Sequence, residues 1–295
     1  MPPVGEYILT NVGFSSDEKP LLLLQKDDAF VSLYPINEQI SLTFDTSTRY
    51  CTGWRDISTG ERFVCPDHQV VPIKYEQCTA CQKRTGFNPA FYHAASVSEK
   101  QEVRNSEPHI LYLAHFSNGV IKVGISHAKR GHGRLLEQGA RSALILDTLP
   151  SAHIARQYEA KIAAMPGIVE TIQVAKKLQL ITRPYDHIAA KEELLAIKTT
   201  IESVLAVNFT GSSVLTFDDT YFPNTRPSLI SAHDVAKINR ISGGCVGLLG
   251  SVLFCTQADS LLYLPLKKYV GYNLRLDNTV SPIDLPAQQT SLFSL

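Results

Sequence analysis

Residues 109–141, HILYLAHFSNGVIKVGISHAKRGHGRLLEQGAR, constrain the fold more than any other stretch. Residues 110–116 and 120–125 are rich in β-branched, aromatic and aliphatic side chains, and Ser117-Asn118-Gly119 interrupts them. That pattern predicts a β-hairpin. A loop containing Gly131 and Gly133 follows, and then a helix expected over 134–143. Register matters, because a one-residue slip sends every side chain to the opposite face. A two-residue turn at Asn118-Gly119 pairs Tyr112 with Ile125, and a three-residue loop pairs it with Gly124. The three-residue loop, with Gly119 at positive φ, is the favoured reading. It puts Tyr112, Ala114 and Phe116 on one face with Lys122 and Gly124, where the bare glycine leaves room beside the Tyr112 hydroxyl.

In order along the chain, Leu111-Tyr112, Lys122-Val123-Gly124, Arg134 and Glu159 resemble the motifs of GIY-YIG nuclease domains. Those domains carry an Ile-Tyr strand, a Tyr-Ile-Gly strand, an arginine on the next helix and a metal-binding glutamate on a later one. Lys122 stands where the family has its second tyrosine. The resemblance implies that Tyr112 helps to activate water, Arg134 contacts phosphate and Glu159 holds one Mg²⁺ or Mn²⁺. Lys122 would meet phosphate as a point charge, and His127 or His132 would supply a missing base. Residues 109–207 are then a GIY-YIG-like α/β unit.

A second resemblance runs from about Tyr34 to Leu274. The segments CTGWRDISTGERFVCP, QCTACQKRTGFNPAF, LYLAHFSNGVIKVGIS, RLLEQGA, VGLLGSVLF and YVGYNL are similar, in one order, to the family catalogued as domain of unknown function 2797. It implies a layout and a zinc site, and no reaction.

The cysteines point the same way. Cys51, Cys65, Cys78 and Cys81 follow the spacing C-x13-C-x12-C-x2-C. The Cys78-Thr-Ala-Cys81 knuckle offers two thiolates to one tetrahedral ion, and Cys51 and Cys65 are available as the second pair. His68, in Cys65-Pro-Asp-His68, is an alternative ligand. The competing reading is a pair of buried thiols beside a C-x-x-C redox pair. Four protein ligands close a zinc site, so its expected role is structural.

Charge is neutral overall but uneven. Residues 1–108 hold ten Lys/Arg against fourteen Asp/Glu, and residues 109–168 hold seven against three. The basic segment contains Lys122, Lys129, Arg130, Arg134 and Arg141, the candidate phosphate contacts for DNA or RNA. Ten charges in sixty residues equally suit an ordinary solvated face. The N-terminus MPPVGEYILT lacks the basic region and long apolar core of a signal peptide. The longest apolar runs, 21–24 and 245–255, are too short to span a bilayer. A cytoplasmic protein with no membrane partner is the expectation.

The whole reads as an α+β chain. Residues 1–50 are expected to form an N-terminal β layer, 51–108 the four-cysteine unit with a connector, and 208–230 a linker. Residues 231–276 should make a small barrel-like β unit, with Cys245 and Cys255 in its core, and 277–295 a loose tail. Within the central unit, residues 144–149 are a third strand. Ser151 caps a helix that Met165-Pro166-Gly167 ends, and residues 188–207 form an amphipathic helix. Glu159 falls at the edge of the capped helix's apolar side, beside Tyr158. Read from its residues alone it is a solvated surface carboxylate or a ligand at a cleft rim, with the surface group favoured. Three functions follow: a metal-dependent phosphodiester hydrolase, a non-catalytic nucleic-acid-binding module, or a zinc-stabilised protein-interaction module. Nucleic-acid binding ranks first as a class, with cleavage as the sharper claim within it.

Overall fold

The protein is described from a computed structural model, which covers residues 1–88, 97–224 and 227–284. Four strands open the chain: β1 (Gly5–Phe14), β2 (Pro20–Lys26), β3 (Ala29–Leu33) and β4 (Gln39–Arg49). Asp27-Asp28 closes the β2–β3 hairpin, with Asp27 at φ 51, a conformation that aspartate tolerates. The cysteine unit holds the two-residue strands β5 (Trp54–Arg55) and β6 (Arg62–Phe63) and helix α1 (Thr79–Thr85). Helix α2 (Glu99–Ser106) follows, capped by Ser98.

The central unit comprises β7 (His109–Ser117), β8 (Val120–His127), α3 (Gly133–Gln138), β9 (Ser142–Leu149) and α4 (Ala152–Ala163). Next come β10 (Ile168–Val169), α5 (Val174–Ile181), α6 (His187–Leu205), β11 (Val214–Thr216) and α7 (Asp218–Tyr221). The chain then returns to strands: β12 (His233–Asp234), β13 (Arg240–Leu249), β14 (Val252–Gln257), β15 (Ser260–Pro265) and β16 (Tyr272–Asp277).

The first and last groups of strands are one sheet. Its order is β12-β15-β14-β13-β4-β16-β1-β2-β3. Leu42 of β4 pairs with Ile241 of β13 on one side and Leu276 of β16 on the other. The N-terminal β layer and the C-terminal β unit expected as separate bodies therefore share every central strand. Alternating hydrophobicity identifies a strand but not its partner, which is why the sequence separates them. One face of this sheet carries Leu9, Leu24, Ile40, Leu253 and Leu262, all fully buried. The rest of that core comes from other strand residues, such as Leu42 and Leu274, and from the sheet's own connectors, such as Val235 and Tyr269. Among the described residues no other layer covers it, so the sheet has to curl over its own interior. Cys245 and Cys255 pair across β13 and β14 inside this core, as expected.

The central sheet runs β10-β8-β7-β9-β11. Tyr112 pairs with Gly124, the favoured register. It is reached by another route than a three-residue loop. Asn118-Gly119 is a two-residue turn, with Gly119 at φ 69, and the ladder shifts by one at Phe116. The bulge restores the face that the turn would have lost. A Cβ on Gly124 would lie 2.5 Å from the Tyr112 hydroxyl, so the glycine makes room as anticipated. One face of the sheet, with Leu111, Leu113 and Val123, packs under α4 and α6. The other, with Tyr112 and Phe116, packs against Leu249, Val252 and Phe254 on the outside of the curled sheet. At that seam Gly139 (φ 75) ends α3 against Gly250 (φ 62), and a Cβ on Gly250 would meet the Gly139 Cα at 3.0 Å.

Several expected boundaries shift. Helix α3 stops at Gln138 rather than 143, because Gly139 adopts the left-handed C-cap. Arg141 therefore leaves the helix face. Residues 208–230 are no linker: β11 extends the sheet, and Phe217, Tyr221, Phe222 and Leu229 are core. A three-residue strand and a four-residue helix carry too little periodicity to read. The expected connector contains α2, whose Arg104 donates to the Ile57 carbonyl at 2.8 Å. Its Pro89 and Ser96 lie outside the described residues. The expected tail begins attached, with Ser281 N donating to Ser242 Oγ and Ile283 N to Gln257 Oε1. Residues 285–295 lie outside the described residues. Helices α4 and α6 sit as anticipated, with Ser151 Oγ capping α4. No helix among the described residues is long and apolar enough to cross a membrane.

Two substitutions probe this packing. Gly124→Ala forces a methyl against Tyr112 and should lower stability by about 1–3 kcal/mol, read from denaturant melts. Asp218, 4% exposed, accepts from Arg141 through both carboxylate oxygens and lies 2.9 Å from His187 Nε2. Burial pushes its carboxyl pKa up, but the His187 and Arg141 hydrogen bonds outweigh that and hold it at about 2. A carboxyl held below its unfolded value stabilises the fold above that value, and the gain is lost as pH falls through about 2. Asp218→Asn should cost about 3–5 kcal/mol at neutral pH, since it leaves Arg141 unpaired. The gap between the two proteins should close on acidification.

Candidate metal centre and anion-binding cleft

The cysteine unit brings its four thiols together. The Sγ atoms of Cys51, Cys65, Cys78 and Cys81 all lie within 4.8 Å of one another, and all four residues are buried. Four thiolates at zinc–sulfur bond lengths of about 2.3 Å would sit about 3.8 Å apart, and the Cys65–Cys78 separation is 4.0 Å. The backbone supports the knuckle, with Cys78 N donating to Cys51 Sγ and Cys81 N to Cys78 Sγ. The cluster is compatible with a closed structural zinc site. His68 is not part of it: its ring pairs with Asp28 at 2.9 Å and lies beside Gln25.

The same unit presents a second chemistry on its other side. Trp54 stacks on Phe63 at 4.1 Å and packs towards the cysteines. Side chains alternate along a strand, so the next pair, Arg55 opposite Arg62, faces away from them. Both arginines line a cleft of about 710 Å³ between the cysteine unit, the central sheet and the curled sheet. The central unit adds Lys122, Arg130, Arg134 and Lys177 to this wall, and Arg141 reaches it as well. Lys267 and Lys268 come from the connector after β15. Among the described residues, nine cationic side chains thus line the cleft with three carboxylates, Glu137, Glu170 and Asp234. Crowding shows in the acidities: desolvation first, then neighbouring cations, lowers the pKa of both Arg55 and Arg62.

Behind the cleft wall stand the residues singled out from the hairpin. The Tyr112 hydroxyl accepts from Gln138 Nε2 at 2.6 Å, and Tyr112 is 1% exposed. Burial raises its pKa, while Gln138 and the nearby Arg134 pull it down. Arg134 has 45% of its side chain exposed and stands 3.8 Å from Glu137. Lys122 donates to the Val123 carbonyl; burial lowers its pKa and Glu159 opposes the shift. Burial raises the pKa of Glu159, which is 6% exposed, and Arg156 and Lys122 oppose it. Tyr112, Lys122, Arg134 and Glu159 therefore share one electrostatic neighbourhood.

Glu159 is not the surface carboxylate that its neighbour Tyr158 suggested. The buried face of α4 runs through Ala152, Ala155, Glu159 and Ile162, so the carboxylate lies at its middle. Two small alanines hide that face from a search for large apolar residues. Arg156 donates to Glu159 at 2.6 Å and also pairs with Glu170.

The other basic candidates separate. Arg130 lines the cleft and donates to Glu137 at 2.6 Å. Lys129, 76% exposed, pairs with Glu107 and does not line the cleft. Arg141 is bound by Asp218 and stacks over Tyr185 at 4.2 Å, which accounts for its charge within the fold. His127 pairs with Glu107 and His132 with Glu18, and neither lines the cleft. Sequence reasoning missed Arg55, Arg62, Lys177, Lys267 and Lys268. The mirrored order Trp54-Arg55 and Arg62-Phe63 around the Gly60 turn is the one readable signal for the arginine pair.

Compared with known proteins, residues 65–274 match a family model described as protein of unknown function (DUF2797). No curated protein and no solved structure matches the chain.

The purified protein should carry one zinc per chain by elemental analysis. Cys78→Ser should lose it, and a chelator should lower the melting temperature of the parent but not of the variant.

Proposed function

The chain belongs to the DUF2797 family, and from that premise we propose that the cationic cleft binds the phosphate backbone of DNA or RNA. The observation that carries this reading is the lining of nine cations against three carboxylates. A concave wall of one sign concentrates anions, and each neutralised phosphate releases counterions. The zinc-stabilised unit fixes Arg55 and Arg62 at the cleft, and the central unit supplies Lys122, Arg130 and Arg134.

A specific juxtaposition favours a second, sharper reading, divalent-metal-dependent cleavage of the phosphodiester. Tyr112, Lys122, Arg134 and Glu159 stand together in the order that resembles a GIY-YIG domain. Arg134 and Lys122 would neutralise the non-bridging oxygens, and Tyr112 would help to orient water. Glu159 would be the protein ligand of Mg²⁺ or Mn²⁺, which keep most of their waters. Arg156 now holds that carboxylate together with Glu170, so a divalent ion has to displace a guanidinium. Binding therefore stands first and cleavage second, ahead of a protein-interaction module whose basic cleft is incidental.

Fluorescence anisotropy with labelled single- and double-stranded DNA and RNA, over a range of salt, tests the first reading. Affinity should fall linearly with salt on logarithmic axes, and Arg55→Ala with Arg62→Ala should flatten the slope by about two units. Absence of salt-dependent binding would sink it. Adding Mg²⁺ or Mn²⁺ to the same samples tests the second, which requires cutting that Glu159→Gln abolishes.

A further inference from the structure

One lysine in the cleft stands apart from the others. Helix α5 places Lys177 so that its Nζ donates to the Gln138 carbonyl at 2.8 Å and lies 4.8 Å from the centre of the Phe116 ring. The charged groups that act on it are Lys122 on β8 and Arg134 on α3, both cations. The other cations beside it are offset by carboxylates: Arg130 pairs with Glu137, Lys267 pairs with Glu76, and Asp234 acts on Lys268. Lys122 has Glu159 close by. Lys177 thus combines an apolar ring, a backbone acceptor for one N–H and two like charges. A desolvated amine beside another cation is the arrangement that turns lysine into a nucleophile. Desolvation, with Lys122 and Arg134 adding to it, brings its pKa down to about 8, so the lone pair is available near neutral pH.

Phosphodiesters and intact bases offer such an amine no electrophile. A sugar that has lost its base does, because its ring-opened form exposes an aldehyde at C1′ between two phosphates. We propose that Lys177 condenses with the C1′ aldehyde of an abasic site whose flanking phosphates lie against Arg134 and Lys122. This inference rests on the nucleic-acid-binding reading of the same cleft. The Nζ lone pair attacks C1′, a C–N bond forms and the carbonyl oxygen takes a proton. The carbinolamine then expels that oxygen as water, leaving a protonated imine. Water reverses the sequence and returns the amine.

The full-length, zinc-loaded protein is incubated with an end-labelled oligonucleotide bearing one abasic site, with sodium borohydride present to reduce the imine to a stable amine. The intact oligonucleotide serves as control, and its binding is followed in parallel by anisotropy. A covalent adduct should form with the abasic strand alone, map to Lys177 by peptide mass, and increase with pH through about 8 as the amine loses its proton. Lys177→Arg and Lys177→Met should each reduce the adduct at least about tenfold, with zinc content unchanged. An adduct that survives in both variants, or maps elsewhere, overturns the proposal. Binding of the intact strand with no adduct overturns it alone, and absence of binding overturns the nucleic-acid reading as well.

Discussion

Backbone meets backbone where the central unit rests on the curled sheet, and the rest of the arrangement depends on that approach. Gly139 ends α3 in a left-handed conformation, and Gly250 turns β13 into β14 in another. A side chain on Gly250 would strike the Gly139 backbone at 3.0 Å, and one on Gly139 would press on Leu249 at the same distance. Around this contact Leu135, Leu136, Leu249 and Val252 close into one core with Tyr112 and Phe116. Both glycines also line the cleft. The seam that joins the two sheets therefore forms part of the wall against which a ligand would lie, so stability and shape at the site are one problem.

The cysteine cluster and the cleft are linked in a similar way. A unit with so few apolar residues cannot hold two short strands in place by burial alone. Four thiolates on one metal can, because metal-binding free energy is folding free energy in such units. The two faces of the β5–β6 hairpin then divide the work. Trp54, stacked on Phe63, packs towards the sulfurs, and Arg55 and Arg62 line the cleft. Desolvation first, and then neighbouring arginines, lowers the pKa of both, and a bound polyanion would relieve the repulsion among these like charges.

How much of this was legible in the sequence depended on how local the signal was. The pairing of Tyr112 with Gly124 could be read because a bare glycine and a large phenol explain each other. Helix α4 could be read because Ser151 caps it and Met165-Pro166-Gly167 ends it. The cysteine cluster followed from spacing, although nothing in the spacing separated Cys65 from His68. The burial of Glu159 was hidden by Ala152 and Ala155. The cleft was hidden by its assembly from three units, since Arg55 and Arg62 sit in a segment of net charge −4 and Lys267 and Lys268 in a balanced one. Strand partners were invisible for the same reason: the hydrogen bonds of β4 reach to β13 and β16, far along the chain.

That last feature sets an order of assembly. On a ribosome β4 emerges early, while Arg240 and Arg275, the residues that flank Thr43 in the finished sheet, are made only after the whole central unit. Until then the nascent chain carries both edges of β4 unpaired and the apolar face of β1 and β2 uncovered, a condition that invites association with other chains. Closing so long a loop is slow because its entropy is lost before the new contacts form. A chain released early would already hold the hairpin and all four thiols. It would lack Lys267, Lys268 and the Gly250 turn, so the cleft is the last part of the molecule to exist.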